Sequence, residues 1–433
     1  MSAVVDTTPA PTLAEALSAL ATGSGDRAIA FDARGDIALA TFHQEVRGVA
    51  AMLPDARQAI NLCDDRYRFL VAFCAAASRG QVTLLPSSRA AGVVNAALQQ
   101  YPDSYCLGDR DLSPSPPHYL RLPDVLPRHP GPTPVVGGTA LVAIGFTSGS
   151  TGQPRPNPKT WASFVASTAQ NLAALADLLD RDGSTHLVAT VPPQHMYGME
   201  MSVLLPLLGN IAVHAARPFF PHDVAIALAE SPRPPLLVTT PVHLRALVET
   251  GLALPPLAGI VSATAPLPVE LACAAEARFG CEVRELFGST ETCVFARRRT
   301  AHESAWTPLP GVHLAPQPDG TMVHAPHLDH PVLLADLVEV LADGRFELRG
   351  RSADLLEIAG KRASLGDLTR KLLALPGIED GVMLQLDEAA VLAGLRGQFD
   401  PVFLPRRLRC VAALPRNDTG KLPRRALMAL LDG

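Results

Sequence analysis

From Thr139 to Gly288 the chain alternates short apolar runs of strand length with stretches of helical period, and that alternation leaves few architectures open. Thr139–Phe146 reads as a buried strand, and Leu187–Thr190, Leu236–Thr240, Ala258–Ser262 and Glu282–Phe287 repeat the pattern. Between them Trp161, Phe164, Val165, Ala169, Leu172, Leu175 and Leu179 recur at the spacing of one helix face. Pro241–Glu249 and Val269–Phe279 predict further helices. Apolar strands separated by helical crossovers build α/β layers around a largely parallel sheet. Ligands gather where such strands end, so the loops after these runs are where chemistry is expected.

The character of the chain changes towards its C-terminus. Leu337–Leu341 and Arg345–Leu348, joined through Asp343-Gly344, predict a β-hairpin. A mixed segment with few strand signals then begins at Gly350-Arg351. The expected organisation is a large N-terminal α/β domain over 1–349, a hinge at 350–353, and a small, shortened C-terminal α+β domain over 354–433. A chain of 433 residues is long enough to bury more than one core.

Composition removes several function classes. With 48% hydrophobic and 18% charged residues the chain is that of a folded protein, and a net charge of −5 offers no field for nucleic acid or an anionic membrane. The most apolar stretch, Val203–Ala215, is interrupted by Pro206, Gly209 and Asn210 and is too short to span a bilayer. Met1–Pro9 has neither the basic start nor the apolar core of a secretion signal. The seven cysteines form no C-x-x-C pair, which argues against a disulfide framework or a zinc site. A cytoplasmic location is expected.

The loop after the first strand is Thr147-Ser148-Gly149-Ser150-Thr151-Gly152, followed by Gln153-Pro154-Arg155. Its glycines allow a tight turn with N–H groups facing inward, and its hydroxyls add donors, a combination that suits an anion. It is not a Walker loop, because Gln153 stands where Lys would be. Taken alone, the run reads first as a surface turn. Its company changes that. In chain order there follow Pro193-Gln194-His195-Met196-Tyr197-Gly198, Ser262-Ala263-Thr264-Ala265-Pro266, and Phe287-Gly288-Ser289-Thr290-Glu291-Thr292. Asp336, Gly350-Arg351-Ser352-Ala353-Asp354, Gly360-Lys361-Arg362 and Asn417-Asp418-Thr419-Gly420-Lys421 complete the series.

This ordered set resembles the adenylate-forming superfamily of acyl-CoA synthetases, peptide-synthetase adenylation domains and luciferases, from Asn61–Tyr67 to Lys421. The pattern is most similar to compact AMP-ligases of aryl-polyene and xanthomonadin-type pigment pathways. The resemblance implies that ATP activates a carboxylic acid as acyl-AMP, after which a thiol displaces AMP. It places Thr147–Gly152 on the phosphates, Thr290 on the α-phosphate, Phe287 on the adenine, and Ala265, Pro266, Gly288 and Ser289 beside the nucleotide. It makes Glu291 the ligand of Mg²⁺, a hard cation suited to carboxylate oxygens. Asp336 and Arg351 would hold the ribose. Lys421 would enter the site and stabilise charge that builds as carboxylate meets phosphate.

Each residue also has an ordinary reading. Glu291 would serve as a helix-start carboxylate, Phe287 as a core aromatic, Asp336 as a turn residue, His195 as a structural histidine, and Lys421 as a solvated basic side chain. By resemblance His195 lines the acid site and gates the thiol. His195, Met196, Tyr197, Ser262, Ala263, Gly288 and Ser289 would form a mostly apolar slot with a few hydroxyls. That slot suits a flat aromatic acid such as 4-hydroxybenzoate; a medium-chain fatty acid is the alternative.

Two positions depart from the superfamily pattern. Ala353 stands at the hinge where Asp or Lys is usual, and Arg155 replaces a lysine, which keeps charge but changes geometry. The short C-terminal domain leaves less surface for free CoA and favours a phosphopantetheine thiol on an acyl carrier protein. Arg406, Arg407, Arg409, Arg416, Arg424 and Arg425 would meet such a carrier's acidic face, or form an ordinary solvated basic surface. A module that only binds nucleotide would not need both Glu291 and Lys421. A serine hydrolase is excluded by the absence of a G-x-S-x-G turn.

Overall fold

A computed structural model describes residues 17–148, 154–180, 185–351, 355–358, 361–364, 369, 372, 381, 414–417 and 422–432. Two sheets carry the large domain. The larger has nine strands, running in space from Thr307–Pro308 through Cys293–Arg298, Val283–Ser289, Gly259–Ser262, Leu236–Thr239, Thr185–Ala189, Ile211–His214 and Ala28–Asp32 to Gly35–Ala38. Its central strands pair in parallel, and antiparallel strands close both edges. This is the α/β architecture expected from the alternating pattern.

The chain reverses direction across this sheet at Thr185–Ala189. It crosses first to Ile211–His214 on one side and then to Leu236–Thr239 on the other. Such a reversal opens a crevice at the carboxyl ends of the strands. Three of the predicted motif loops lie at that edge: His195–Gly198 after Thr185–Ala189, Ala263–Pro266 after Gly259–Ser262, and Thr290–Thr292 after Val283–Ser289.

The second sheet has six strands, ordered Pro154–Thr160, Leu141–Ser148, Val82–Leu85, Gln58–Asn61, Ser104–Gly108 and Tyr119–Arg121. Leu141–Ser148 and Pro154–Thr160 form an antiparallel hairpin in which Thr147 faces Arg155 and Phe146 faces Pro156. The Gly149–Gln153 tip of this hairpin lies outside the described residues. Helix Trp161–Leu175 follows, as its apolar spacing predicts, and Thr160 caps it by accepting from Ser163 N at 3.2 Å.

The apolar Val203–Ala215 stretch is divided at Gly209-Asn210 into a helical run and a strand, while Pro206 is accommodated in the first turn of a helix. A π-helical turn Glu200–Leu204 runs into helix Leu205–Leu208, and strand Ile211–His214 begins after Gly209-Asn210. Among the described residues no helix is long and apolar enough to cross a membrane.

The predicted hairpin is present as Asp336–Val340 paired with Phe346–Arg351. Trp306 fixes it to the large sheet: its N–H donates to Phe346 O at 2.7 Å, and Phe346 N donates back to Trp306 O at 3.0 Å. The second strand runs through Gly350 and Arg351, the first half of the expected hinge, while Ser352–Asp354 lie outside the described residues. A short pairing of Leu355–Ile358 with Lys361–Ser364 and a helix Arg424–Asp432 follow.

Candidate active site

The decisive local packing is at Gly145, on the strand that leads into the Thr147–Gly152 loop. A Cβ built there would lie 2.6 Å from Thr290 Cγ2 and 2.9 Å from Met196 Cε. Three motifs far apart in sequence therefore meet across one glycine. Only a residue without a side chain lets Thr290 and Met196 lie so close to the backbone.

Thr290 and Glu291 occupy the tight turn between Val283–Ser289 and Cys293–Arg298. Ser289 N donates to Thr292 Oγ1 at 3.1 Å, and Thr292 N returns a bond to Ser289 Oγ at 3.2 Å. Cys293 takes a left-handed φ of 57° that lets the chain re-enter the sheet. No helix starts at this turn, so the helix-start reading of Glu291 has no counterpart here. The Glu291 side chain is half-buried, and its carboxylate makes no hydrogen bond or ion pair with the described residues.

Phe287, two residues before the turn's Ser289, is half-exposed. Its ring lies 5.1 Å from Phe295 and 5.2 Å from Trp306 in an aromatic cluster that reaches Phe346 at 6.3 Å. Part of the ring thus belongs to a core, and part is accessible to solvent. Through Phe346 the cluster also supports the hairpin on which Asp336 and Arg351 are direct cross-strand partners. The backbone thus brings the two predicted ribose residues together. Asp336 is half-buried, and its backbone oxygen accepts from Thr321 Oγ1 at 2.7 Å.

His195 caps the helical turn Met196–Met199, with Nδ1 accepting from Tyr197 N at 3.3 Å. Tyr197 is buried and donates through its hydroxyl to Val261 O at 3.0 Å, beside Ser262 and Ala263. Burial pushes its hydroxyl pKa well up, so it stays protonated and a donor. Ser262 Oγ is buried with no hydrogen-bond partner among the described residues. Thr264, two residues on, holds a φ of 83°, a conformation that costs a non-glycine residue about 1–3 kcal/mol and persists where its surroundings enforce it. Ala265 and Pro266 sit on the same loop, half-buried and exposed respectively. Gly149–Gly152 and Lys421 lie outside the described residues, as do Asp418–Gly420.

Residues 88–319, more than half of the chain, match the AMP-binding enzyme family. The chain belongs to the AMP-binding enzyme family. Its span includes the phosphate-type loop, the His195 turn and the Thr290-Glu291 turn. This AMP-binding enzyme is 30% identical over 297 residues to the 4-coumarate–CoA ligase of Rhodobacter capsulatus, covering 64% of this chain and 74% of that protein. In fold it is similar to ATP-bound MatB from Rhodopseudomonas palustris, with a TM-score of 0.78 at 18% identity over 94% of this chain and 96% of that one. It is likewise similar to o-succinylbenzoate CoA synthetase from Bacillus subtilis in complex with its acyl-adenylate, with a TM-score of 0.74 at 16% identity over 90% and 93% of the two chains. The AMP-binding enzyme is thus an adenylate-forming ligase that uses ATP to activate a carboxylic acid.

Several residues that hold these turns in the AMP-binding enzyme belong to none of the ordered sequence motifs. Lys159, only 5% exposed, donates through Nζ to the backbone oxygen of Glu291 at 2.8 Å. Glu200 is fully enclosed; both its carboxylate oxygens accept from Val294 N at 3.1 Å, and Oε1 also accepts from Asn171 Nδ2 at 3.1 Å. Burial pushes the Glu200 carboxyl up to about 7, against those hydrogen bonds and the nearby Lys159 charge. His327 Nε2 donates to Thr292 O at 2.6 Å, and its Nδ1 lies 2.5 Å from Gln170 Oε1. Glu200 had one available signal, a lone carboxylate inside the apolar run Met196–Leu208. Behind His195, Gln194 Nε2 donates to Cys63 O at 2.9 Å, which anchors the turn on the Asn61–Tyr67 segment.

Proposed function

We propose that this enzyme activates an aryl acid such as 4-hydroxybenzoate as its acyl-AMP and passes the acyl group to the phosphopantetheine thiol of an acyl carrier protein, in the manner of pigment-pathway ligases. The observation that carries the nucleotide half of the reading is the meeting of Thr290 and Met196 over Gly145. It sets the Thr290-Glu291 turn against the strand that delivers the phosphate loop, with the His195 turn on the acid side. Met196, Tyr197, Ala263 and the Ser262 hydroxyl, which has no partner among the described residues, are buried and mostly apolar with isolated polar groups, and would suit a flat acid with one polar substituent.

In the first step the acid's carboxylate oxygen attacks the α-phosphorus of ATP; the new acyl–O–P bond forms as the α–β phosphoanhydride breaks, and pyrophosphate leaves. In the second step the thiol loses its proton, its sulfur attacks the acyl carbon, and AMP departs. No enzyme nucleophile is required. Thr290 would hydrogen-bond the α-phosphate and Lys421 would stabilise its growing charge, while Asp336 and Arg351 would hold the ribose. Arg351 and Gly350 also open the hinge at 350–353 on which the small domain would turn between steps.

The Glu291 carboxylate, unpaired among the described residues, would suit a magnesium ion. Among the described residues there is no group of three or more potential ligands that could hold a metal alone. Magnesium usually takes one or two carboxylates, with phosphate oxygens and water completing its shell. When bound, the ion would neutralise charge on the ATP phosphates.

Transfer to free CoA is the second reading, favoured by the similarity to a 4-coumarate–CoA ligase. ATP–pyrophosphate exchange across a panel of aryl and fatty acids, followed by transfer to CoA or to a holo-carrier protein, separates the two. The expected outcome is exchange with aryl acids and transfer to the carrier. Exchange with none of the acids would sink the activity. A Lys421→Ala variant should keep the melting temperature and lose exchange; unchanged exchange would remove Lys421 from the reaction.

A further inference from the structure

Three backbone groups at the Thr290-Glu291 turn, the oxygens of Glu291 and Thr292 and the nitrogen of Val294, are each held by a buried side chain from another element. Lys159 reaches the Glu291 oxygen from the strand that returns from the phosphate loop. Glu200 reaches Val294 N from the π-helical turn that follows His195. His327 reaches the Thr292 oxygen from the segment after strand Gly320–His324. Lys159 and Glu200 are both enclosed, so their bonds act in a medium where misplacement is costly and water does not substitute for them.

We infer that Lys159 and Glu200 are positioning residues: a buried ammonium and a buried carboxyl that together aim the Glu291 carboxylate and link it to the phosphate-loop hairpin and to the His195 turn. This rests on the reading of Glu291 as the residue that receives magnesium with ATP. Neither side chain touches a reacting atom. Lys159 fixes where the peptide of Glu291 lies relative to the strand Pro154–Thr160, and Glu200 fixes where that turn rejoins its sheet. The hairpin, the acid-side turn and the Thr290-Glu291 turn therefore share one buried anchor. A shift of ~1 Å in such a constellation costs on the order of 100-fold in rate.

Removing one charge alone would strand the other in the interior, whereas neutralising both leaves a packed, uncharged pair. The informative variant is Lys159→Met/Glu200→Gln in the full chain, compared with wild type, Glu291→Gln and the triple variant. Measurements are melting temperature, equilibrium affinity for ATP with and without Mg²⁺, and kcat and KM in ATP–pyrophosphate exchange. The pair variant is expected to melt near wild type, raise KM for MgATP about tenfold or more, leave KM for the acid unchanged, and lose the Mg²⁺-dependent gain in ATP affinity. Adding Glu291→Gln should cost little further, because the pair acts through that residue.

A folded pair variant with wild-type KM for MgATP and an intact Mg²⁺-dependent gain would overturn the inference and leave the site reading standing. A wild-type protein whose ATP affinity ignores Mg²⁺ would overturn both. If the pair variant melts too low to assay, Glu200→Gln alone keeps the acceptor for Val294 N and removes the carboxylate. At a temperature where it is folded it should still raise KM for MgATP, and an unchanged KM in the folded protein would overturn the inference equally.

Discussion

A methyl group at Gly145 would collide with Thr290 on one side and Met196 on the other. Gly145→Ala should therefore push both outward, raise KM for ATP and for the acid together, and destabilise the fold by about 1–3 kcal/mol. Steady-state exchange and a denaturant melt check it. Glu200 gives a prediction in pH. Its carboxyl is raised from an ordinary 4.5 to about 7 by burial, so the folded protein holds the proton more tightly than the unfolded chain. The resulting stabilisation is complete below pH 4.5 and lost as pH rises through 7, amounting to about 3 kcal/mol at 1.36 kcal/mol per unit. Glu200→Gln has no such proton, so its stability relative to wild type should rise between pH 4.5 and 8, as paired melts would show. At this scale the sequence reveals groups that belong to ordered motifs, such as Thr290, Glu291 and Asp336. It does not reveal Lys159 or His327, because a polar residue has no visible partner until the chain has folded around it.

Among the elements, helix ends are legible where chemistry marks them. Pro241–Glu249 begins with proline after Thr240, whose hydroxyl accepts from His243 N at 3.4 Å. Val269–Phe279 ends at Gly280, which takes a left-handed φ of 66°. Both spans agree with the sequence reading. The strand Pro154–Thr160 was not expected, since its sequence is polar and contains three prolines. It forms because it lies at the sheet's edge, pairing only with Leu141–Ser148, where missing N–H groups can be tolerated. The His195 turn is equally particular. A Cβ at Gly198 would fall 2.0 Å from Pro192 O, a backbone atom that cannot rotate away. Gly198→Ala should cost about 3 kcal/mol in a denaturant melt and displace His195 from the acid side. Away from the site, Arg284 grips Asp177 through two 2.7 Å bonds, which hold the carboxyl down at about 2. That stabilisation is present above the ordinary 3.8 and lost as pH falls through 2, so Asp177→Asn should lower the melting temperature at pH 7 and leave it unchanged near pH 2.

At the scale of the whole molecule, the site is assembled from two sheets that share no strand. Ligands that touch both should stabilise the fold as a unit: MgATP at about 100 times its Kd is expected to add about 2.7 kcal/mol, seen as a shift in melting temperature. The α/β class and the order of the motifs were legible because strand-length apolar runs and loop chemistry are local properties. The convergence over Gly145 was not, because it depends on how two sheets lie against each other. The chain also contains only two tryptophans. Trp161 is wholly enclosed, whereas Trp306 stacks in the cluster that supports Phe287 and pairs with the Asp336–Arg351 hairpin. In a Trp161→Phe protein the remaining indole becomes a native optical probe, whose ultraviolet emission would follow nucleotide arrival in real time without any attached dye.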